Sequence, residues 1–443
     1  MPRLGIRGAF LDLVGDPWTQ PQSECARFRP DGLLIVSDGL IESFGDYQDL
    51  APLHPDLPID DHRHRLIVPG FIDCHVHYPQ TRIIGAYGNQ LLDWLARYVF
   101  PEETRFRNKD YALEVAEEFF ELLITHGTTT AQSFATTFPG SVEAYFEVAE
   151  RLGMRALCGL TGIDRQGTAP DDYRDTPESF YEGSRDLIER YHGRGRNLYS
   201  ICPRFALGST HAQLQRAGQL KSEFPDCWVN THLSENPVEI ETVLGFYPEA
   251  ADYLEVYERY GLVGPRFSAG HSIHLSEGEF ARMAAAGAAI TFCPSSNLFL
   301  GSGLFRLDLC RRHGVRLGLG CDSGAGNSLS MLKTLEDAYK VGMLGFVTHG
   351  GDDFKVSALR GLYMATLGSA HSLYLEDKLG NFEAGKEADL VVLDAAGTPT
   401  LAIRTRASGP RTLEEADFQF FGLMLLGDER CVEATYLAGI RRK

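Results

Sequence analysis

The chain has 443 residues, of which 44% are hydrophobic, so it can bury a core large enough for one big domain with an appendage or for several domains. Its formal net charge of −18 opposes binding to nucleic-acid phosphates and to anionic lipid surfaces. We therefore expect a small neutral or cationic ligand, with no nucleic acid and no membrane as partner.

The cellular location follows from composition along the chain. No stretch has the length and apolar character of a membrane-spanning helix, and the first residues lack the basic and apolar regions of an export signal. The nine cysteines are scattered singly without a CxxC pair, which favours reduced, buried thiols. We expect a soluble, cytoplasmic protein.

Both ends of the chain carry short strand-forming runs separated by turn residues. Examples are GLLIVSDGLIESFG in the first part and GNFEAGKEADLVVLD near the other end. We predict that residues 1–66 and 380–443 pair into one small β-sandwich domain.

Between these ends, eight β-branched runs alternate with segments of helical period. In chain order the runs are RLIVPGFIDCHVH, GTTTAQSFA, RALCGLTGID, LYSICPRFALG, CWVNTHLSEN, RFSAGHSIHLS, AAITFCPSSN and VRLGLGCDSGAG. Eight βα units predict an α/β fold with a TIM-like (β/α)8 barrel over residues 67–379. The connection from Arg82 to Asn108 is long and aromatic for a βα loop, so we interpret it as a lid over the barrel mouth.

Polar side chains stand at the ends of several predicted strands. His75 and His77 are two residues apart on one strand and therefore point to the same side. His232, His271 and Asp322 end later strands, where barrel enzymes carry their catalytic residues. Imidazoles with a carboxylate suit a divalent ion such as Zn²⁺ or Fe²⁺, whereas the alternative is a set of hydrogen-bonded core histidines. The ensemble favours a metal centre that activates water for hydrolysis.

Two further side chains are candidates for the same site. Glu235 follows His232 by three residues, where a carboxylate can pass a proton from water to a leaving group; the alternative is a surface or helix-N-terminal glutamate. Arg204 lies at a strand end, where a buried cation needs a partner or a ligand carbonyl; the alternative is a structural ion pair. Spacing alone leaves both alternatives open.

The motifs carry a family resemblance that covers nearly the whole chain. The segments PGFIDCHVH, HLSEN, AGHSIHL and GLGCDSGAG resemble the amidohydrolase superfamily, metal-dependent hydrolases with a TIM-like barrel and a small β-sandwich. Within it, the chain resembles the guanine deaminases, especially the bacterial type, in the segments DCHVHYPQ, LLDWLARYVFPEE, HGTTTA, PRF, THLSEN, CPSSNLFLGSGLF, MATLGSAHSL and LGNFEAGKEADLVVLD. This resemblance implies hydrolysis of guanine at C2 to xanthine and ammonia, a step of purine catabolism.

The resemblance also implies a role for each candidate in the chemistry. One divalent metal, in the first place zinc with iron as the alternative, would be held by His75, His77, His232 and Asp322. Asp322 would in addition accept a proton from the attacking water. Glu235 would protonate the purine N3 while water attacks C2, and His271 would hydrogen-bond the attacking water or the tetrahedral intermediate.

Substrate recognition and assembly are implied in the same way. Gln80, Arg204 and Phe205 would bind guanine, and the protein would be a homodimer. Cys321 stands where many relatives carry threonine, directly before the metal-binding aspartate, and could alter hydrogen bonding to Asp322.

The sequence lacks features of two related classes of enzyme. No lysine lies between Lys109 and Lys221, so no amine is available there to form the bridging carbamate of binuclear relatives. The P-C-x-x-C signature of other zinc nucleobase deaminases is also missing. The remaining alternatives are an aminohydrolase of another N-heterocycle (8-oxoguanine, a pterin, cytosine or a triazine) and a catalytically silent homologue acting as a scaffold.

Overall fold

The structure is a computed structural model, and it describes residues 3–88, 91–405 and 409–443. None of the helices in these ranges has the length and hydropathy needed to cross a membrane. The chain divides into two compact units, one made of Met1–Asp73, Leu122–Thr130 and Ser330–Lys443, the other of Cys74–Glu121 and Ala131–Leu329. The predicted boundaries, 1–66 with 380–443 and 67–379, stay a prediction.

The strands of the described residues fall into two sheets. In chain order they are β1 (Leu4–Leu13), β2 (Ala26–Ser37), β3 (Leu40–Asp46), β4 (Ile59–Pro69), β5 (Phe71–His77), β6 (Thr128–Phe134), β7 (Arg155–Gly159), β8 (Thr161–Gly162), β9 (Asn197–Pro203), β10 (Trp228–Leu233), β11 (Phe267–His271), β12 (Ala289–Phe292), β13 (Arg316–Leu319), β14 (Leu390–Leu393), β15 (Val432–Leu437) and β16 (Ile440–Arg441). One sheet has the order β16-β15-β14-β4-β1-β2-β3, and the other has the order β13-β12-β11-β10-β9-β7-β6-β5 with β8 beside β9.

Helices follow most strands of the second sheet. The α-helices of the described residues, in chain order, are α1 (Gln22–Cys25), α2 (Tyr47–Leu50), α3 (Leu91–Trp94), α4 (Phe100–Glu103), α5 (Lys109–Thr125), α6 (Pro139–Leu152), α7 (Pro177–Tyr191), α8 (His211–Glu223), α9 (Pro237–Phe246), α10 (Tyr253–Glu258), α11 (Glu277–Ala286), α12 (Pro294–Phe299), α13 (Leu307–His313), α14 (Met331–His349), α15 (Ala358–Ala365), α16 (Leu367–Ser372), α17 (Pro399–Thr405) and α18 (Leu413–Leu426). Local sequence sets their ends: at α11, Ser276 and Glu279 form a reciprocal capping box, and Gly287 ends the helix with φ 70°.

The second sheet is the predicted barrel, an α/β TIM-like (β/α)8 fold. Each of the eight predicted runs contributes one strand to it, and RALCGLTGID contributes the short β8 as well, so the prediction is confirmed. The first and last strands are linked at their carboxyl ends. The N–H of Asp322, just after β13, donates to the carbonyl of His75 in β5 at 2.9 Å, and the N–H of His77 donates to the carbonyl of Ser323 at 3.1 Å. Barrel closure therefore brings Asp322 beside the two histidines.

The first predicted run proves to be parts of two strands. The structure divides it at Gly70, so that β4 pairs with β14 in the first sheet while β5 joins the barrel. A Cβ at residue 70 would lie 2.1 Å from Oγ1 of Thr129, which explains the glycine at this junction. Every residue of β5 is buried, as expected for a parallel strand covered on both faces.

The first sheet joins the two ends of the chain. Strand β4 lies between β1, to which it is parallel, and β14, to which it is antiparallel. Buried side chains from both ends pack in one core, among them Phe10, Ile67, Val392 and Tyr436. The prediction that the two ends form a separate small β structure is confirmed.

Candidate active site

Five of the predicted residues form a buried group at the carboxyl ends of the barrel strands, here called the imidazole cluster: His75, His77, His232, His271 and Asp322. Nε2 of His77 lies 3.2 Å from Nε2 of His232 and 3.5 Å from Oδ1 of Asp322. Potential ligand atoms of His75, His77 and His232 all lie within 4.8 Å of one another, as do those of His75, His271 and Asp322. The cluster therefore has the spacing of a metal centre.

Two glycines make room for the His75 ring. A Cβ at Gly270, in β11, would lie 2.3 Å from Cε1 of His75, and a Cβ at Gly320 would lie 2.7 Å from the Cβ of His75. Both distances are far below van der Waals contact, so any side chain at either position would displace the imidazole. The glycines in the motifs AGH and GLGCD thus leave the space that the His75 imidazole occupies.

Hydrogen bonding and burial set the protonation of the histidines. Nδ1 of His232 donates to the carbonyl of Arg204 at 2.7 Å, which leaves the lone pair on the Nε2 that faces His77. The ring of Phe134 stacks on His77 with centroids 4.6 Å apart. Burial, reinforced by neighbouring imidazoles and Arg204, holds the pKa of His75, His77 and His232 well below its usual value. Neutral imidazoles are the form that binds metals.

His271 stands between two carboxylates. Its Nδ1 hydrogen-bonds to Oδ1 of Asn297 at 3.0 Å, while its Nε2 lies 3.5 Å from Oε2 of Glu235 and 3.6 Å from Oδ2 of Asp322. The backbone of His271 has φ 64° and that of Asp322 φ 48°, conformations that are costly for side-chain-bearing residues and gather at functional sites. Nε2 of His271 therefore faces both carboxylates.

Glu235 is buried, with 2% of its surface exposed, which excludes the reading as a surface glutamate. Its Oε1 accepts a hydrogen bond from the Ser302 hydroxyl at 3.1 Å. Burial raises the pKa of Glu235 to about 7, so the carboxyl group can both give and take a proton near neutrality. Its backbone N–H donates to Oε2 of Glu239 at 3.0 Å, and this contact with helix α9 fixes the loop.

A second buried group, here called the polar wall, consists of Gln80, Glu103, Tyr173 and Arg204. Arg204 donates from both terminal nitrogens to the two oxygens of Glu103, at 2.6 and 3.1 Å. Burial opposes charge on Arg204, but the Glu103 carboxylate outweighs it and raises the pKa of Arg204 above its usual value. The ion pair considered as the alternative for Arg204 is therefore present, and the same guanidinium also borders the cavity.

One cavity contacts both groups. The cavity is lined by His77, Gln80, Leu91, Trp94, Leu95, Arg204, Phe205, His232, Glu235, His271, Leu300, Asp322 and Ala325. All predicted site residues except His75, which has no exposed surface, thus border a single space. The cavity is therefore bordered by the imidazole cluster, which suits a cation, by the protonatable carboxyl group of Glu235, and by the hydrogen-bonding groups of the polar wall.

Comparison with known proteins agrees with this geometry. The sequence model of the amidohydrolase family matches residues 66–434. The chain belongs to the amidohydrolase family. It is 44% identical to the guanine deaminase of Escherichia coli K12 over 438 residues, which is 98% of this chain and 96% of that protein.

Solved structures give the same picture of this amidohydrolase. The guanine deaminase of Bradyrhizobium japonicum superposes with a TM-score of 0.97 at 48% identity and covers 100% of this chain and 99% of its own. The guanine deaminase of C. acetobutylicum with bound guanine superposes with a TM-score of 0.87 at 27% identity, covering 99% of each chain.

The predicted lid of this amidohydrolase is partly helical. Leu91 and Trp94 of α3 and Leu95 of the following π-helical turn, Leu95–Val99, line the cavity. Nε1 of Trp94 donates to the carbonyl of Ala86 at 3.1 Å. Residues 89–90 of the predicted lid lie outside the described residues, and movement of the segment stays a prediction.

Several residues of the site have no role predicted from the sequence. They are Glu103, Phe134, Tyr173, Glu239, Asn297 and Ser302. Glu103 lies in LLDWLARYVFPEE, and Asn297 and Ser302 lie in CPSSNLFLGSGLF, two segments that carry the family resemblance. That resemblance was the signal available for these three. Phe134, Tyr173 and Glu239 have no local pattern that distinguishes them from core residues.

Proposed function

We propose that this amidohydrolase is a guanine deaminase, converting guanine and water to xanthine and ammonia. The observation that carries the proposal is the position of Glu235, a buried carboxyl group that shares one cavity with the imidazole cluster and the polar wall. Guanine deaminases at 44% and 48% identity over nearly the full length support the same substrate.

We propose that His75, His77, His232 and Asp322 hold one divalent ion, zinc in the first place and iron as the alternative. The donor set fits such an ion: the Nε2 atoms of His77 and His232 lie too close for two protonated nitrogens, and Nδ1 of His232 is already used as a donor. When bound, a divalent ion lowers the pKa of a coordinated water and so supplies hydroxide at neutral pH.

In this proposal, Glu235 moves the proton. As a carboxylate it takes a proton from the attacking water, and as an acid it delivers a proton to N3 of guanine while C2 becomes tetrahedral. Ser302 holds one carboxylate oxygen, and His271 approaches the other. Asp322 then accepts the remaining proton of the attacking water and, with His271, whose Nε2 lies near both carboxylates, passes it to the amino group at C2, which leaves as ammonia as the C2 oxo group forms.

We propose that the polar wall and Phe205 hold the ring of the substrate. Gln80 and Arg204 border the cavity with hydrogen-bonding groups, and Phe205 adds an apolar ring whose centroid lies 6.2 Å from that of His232. A flat heterocycle with polar edge atoms fits these groups.

Ammonia release by the metal-loaded protein tests the proposal. Guanine is offered beside adenine, cytosine and 8-oxoguanine, with Glu235→Gln as the blank and Glu241→Gln, at an exposed residue of α9, as the matched control. Guanine-selective release by wild type and Glu241→Gln but not by Glu235→Gln is expected. Release from a different heterocycle would overturn the substrate, and an active Glu235→Gln enzyme would overturn the proton path.

We further propose a homodimer in the cytoplasm that acts in purine catabolism. The support is the family resemblance of the sequence and, for the compartment, the composition of its cysteines. Light scattering after gel filtration at several protein concentrations tests the dimer. A mass of one chain at every concentration would contradict it.

A further inference from the structure

Glu103 lies at the centre of the polar wall and has no exposed surface. Its Oε1 accepts from Nε2 of Gln80 at 2.9 Å and from Nη2 of Arg204 at 3.1 Å. Its Oε2 accepts from Nη1 of Arg204 at 2.6 Å and from the hydroxyl of Tyr173. Because a carboxylate offers about four lone-pair sites, these four donors use its whole capacity. Glu103 therefore has nothing left to offer a ligand and acts on its neighbours instead.

The amide of Gln80 is oriented by two contacts that agree. Its Nε2 donates to Glu103, and its Oε1 accepts from the backbone N–H of Gly324 at 3.2 Å. The flipped amide would place an oxygen against the carboxylate and an NH2 group against an N–H, and both contacts would be repulsive. The negative charge of Glu103 thus decides which end of Gln80 faces which neighbour.

The atoms that remain for a ligand are mainly donors. Nε2 of Gln80 has two hydrogens and gives one to Glu103, and Nη2 of Arg204 likewise has two and gives one to Glu103. Nη1 of Arg204 gives one to Glu103 and also lies 3.4 Å from the Tyr173 hydroxyl, so the spare donors are those of Gln80 Nε2 and Arg204 Nη2. Gln80 and Arg204 both line the cavity. A ligand edge that meets them needs acceptors, such as a ring oxo group, whereas an exocyclic amino group there would leave buried donors unpaired.

We infer that Glu103 is the specificity-determining positioning residue of this site: by accepting from both Gln80 and Arg204, it turns the polar wall into a surface of donors that selects an oxo group over an amino group on the bound heterocycle. This inference rests on the proposed function for the class of ligand. It assigns Glu103 no contact with the reacting atoms, since its hydrogen bonds go to Gln80, Tyr173 and Arg204.

Replacement of the Glu103 carboxylate by an isosteric amide should weaken the preference of the polar wall for an oxo group. In Glu103→Gln the new NH2 group faces donors, so either Gln80 flips or a terminal nitrogen of Arg204 is released. If Gln80 flips, its amide oxygen becomes an acceptor toward the ligand. If a terminal nitrogen of Arg204 is released, the guanidinium is no longer held by two hydrogen bonds and its donors lose their fixed direction. The preference for an oxo group should fall, and the KM for guanine should rise more than kcat falls.

The test measures binding of hypoxanthine and adenine, which differ at the oxo or amino position and lack the 2-amino group, by calorimetry on the metal-loaded protein. Wild type should bind hypoxanthine roughly 10- to 100-fold more tightly, the cost of one or two unpaired buried donors. Glu103→Gln should reduce this ratio by about tenfold or more. The matched control is Glu102→Gln, the same change at a neighbouring carboxylate bound to Arg105 and Tyr111 outside the polar wall, and it should keep the ratio.

Each result decides the inference. Equal weakening of both ligands, an unchanged ratio, or a wild type that binds neither purine would overturn it. If Glu103→Gln fails to fold, Glu103→Asp retains the charge on a shorter side chain, and its ratio should fall by a smaller factor; an unchanged ratio there would again overturn the inference. Ammonia release from guanine is scored separately. Selective binding without release would refute the proposed function and leave the role of Glu103 intact.

Discussion

In the imidazole cluster, Nε2 of His77 and Nε2 of His271 lie 3.5 and 3.6 Å from the carboxylate of Asp322, whereas in the polar wall Glu103 receives hydrogen bonds at 2.6 to 3.1 Å. The longer separations leave room for a cation between nitrogen and oxygen atoms, while the shorter ones use up the acceptors of the polar wall. The imidazole cluster is thus built to hold positive charge, and the polar wall is built to meet the acceptor edge of a ligand. Mutations in the imidazole cluster should therefore lower turnover, whereas mutations in the polar wall should lower affinity and selectivity.

The largest effect is expected from His77→Ala. This change removes one nitrogen of the imidazole cluster, so bound metal should fall to a trace and kcat/KM for guanine should drop by about 10³-fold or more, since no activated water remains. Metal content after dialysis and ammonia release measure both. The control is His349→Ala, at an exposed position on α14, which should leave metal and activity unchanged. Retained metal with full activity in His77→Ala would refute the metal role.

Glu235→Gln should separate metal binding from proton transfer. The variant keeps its metal because Glu235 is outside the cluster, but kcat should fall by roughly 10²- to 10⁴-fold, the range for loss of a general acid or base. Metal analysis and single-turnover kinetics with guanine provide the readouts. A variant that lost its metal as well would place Glu235 among the ligands.

The acid limb of the pH profile should report on Glu235. Burial raises the pKa of Glu235 to about 7, and the carboxylate form must accept the proton of the attacking water. As the pH falls below about 7, Glu235 is protonated before the reaction begins, so kcat/KM should decline about tenfold per pH unit. The residual activity of Glu235→Gln should lack this acid limb. An acid limb that is unchanged in the variant would assign it to another group.

In the polar wall, Arg204→Lys should act mainly on affinity. An ammonium cannot reproduce the planar fork that contacts both oxygens of Glu103, so KM for guanine should rise by about tenfold while kcat changes by a few-fold at most. Steady-state kinetics measure the split. An unchanged KM would show that the guanidinium serves the ion pair alone.

The smallest effect is expected from Tyr253→Phe. The Tyr253 hydroxyl donates to Oε1 of Glu239 at 2.9 Å, and Glu239 in turn accepts from the backbone N–H of Glu235. Loss of this one hydroxyl should relax the loop and lower kcat by about two- to fivefold, with metal content unchanged. A loss as large as that of Glu235→Gln would mean that Tyr253 itself takes part in proton transfer.

The imidazole side of the site could be predicted from the sequence, because strand periodicity and barrel geometry place residues at known ends. His75 and His77 share one side since they are two apart on a strand, and His232, His271 and Asp322 end strands that a closed barrel brings together. The polar wall could be predicted only in part. Gln80 and Arg204 were expected at the substrate through the family resemblance, but Glu103 lies on a helix of the long segment after β5, where no strand register fixes its direction.

The sequence by itself determined the class of fold, the eight barrel strands, the joining of the two chain ends in one sheet, and the residues whose side chains are set by local periodicity. The tertiary structure decided the division of the first run at Gly70, the burial of Glu235, the contact of Asn297 with His271, and the saturation of Glu103 by three partners. The physical reason is the range of the interactions: periodicity acts between residues a few positions apart, whereas the contacts of Glu103 join residues 23, 70 and 101 positions away, and such contacts exist only after the chain has folded.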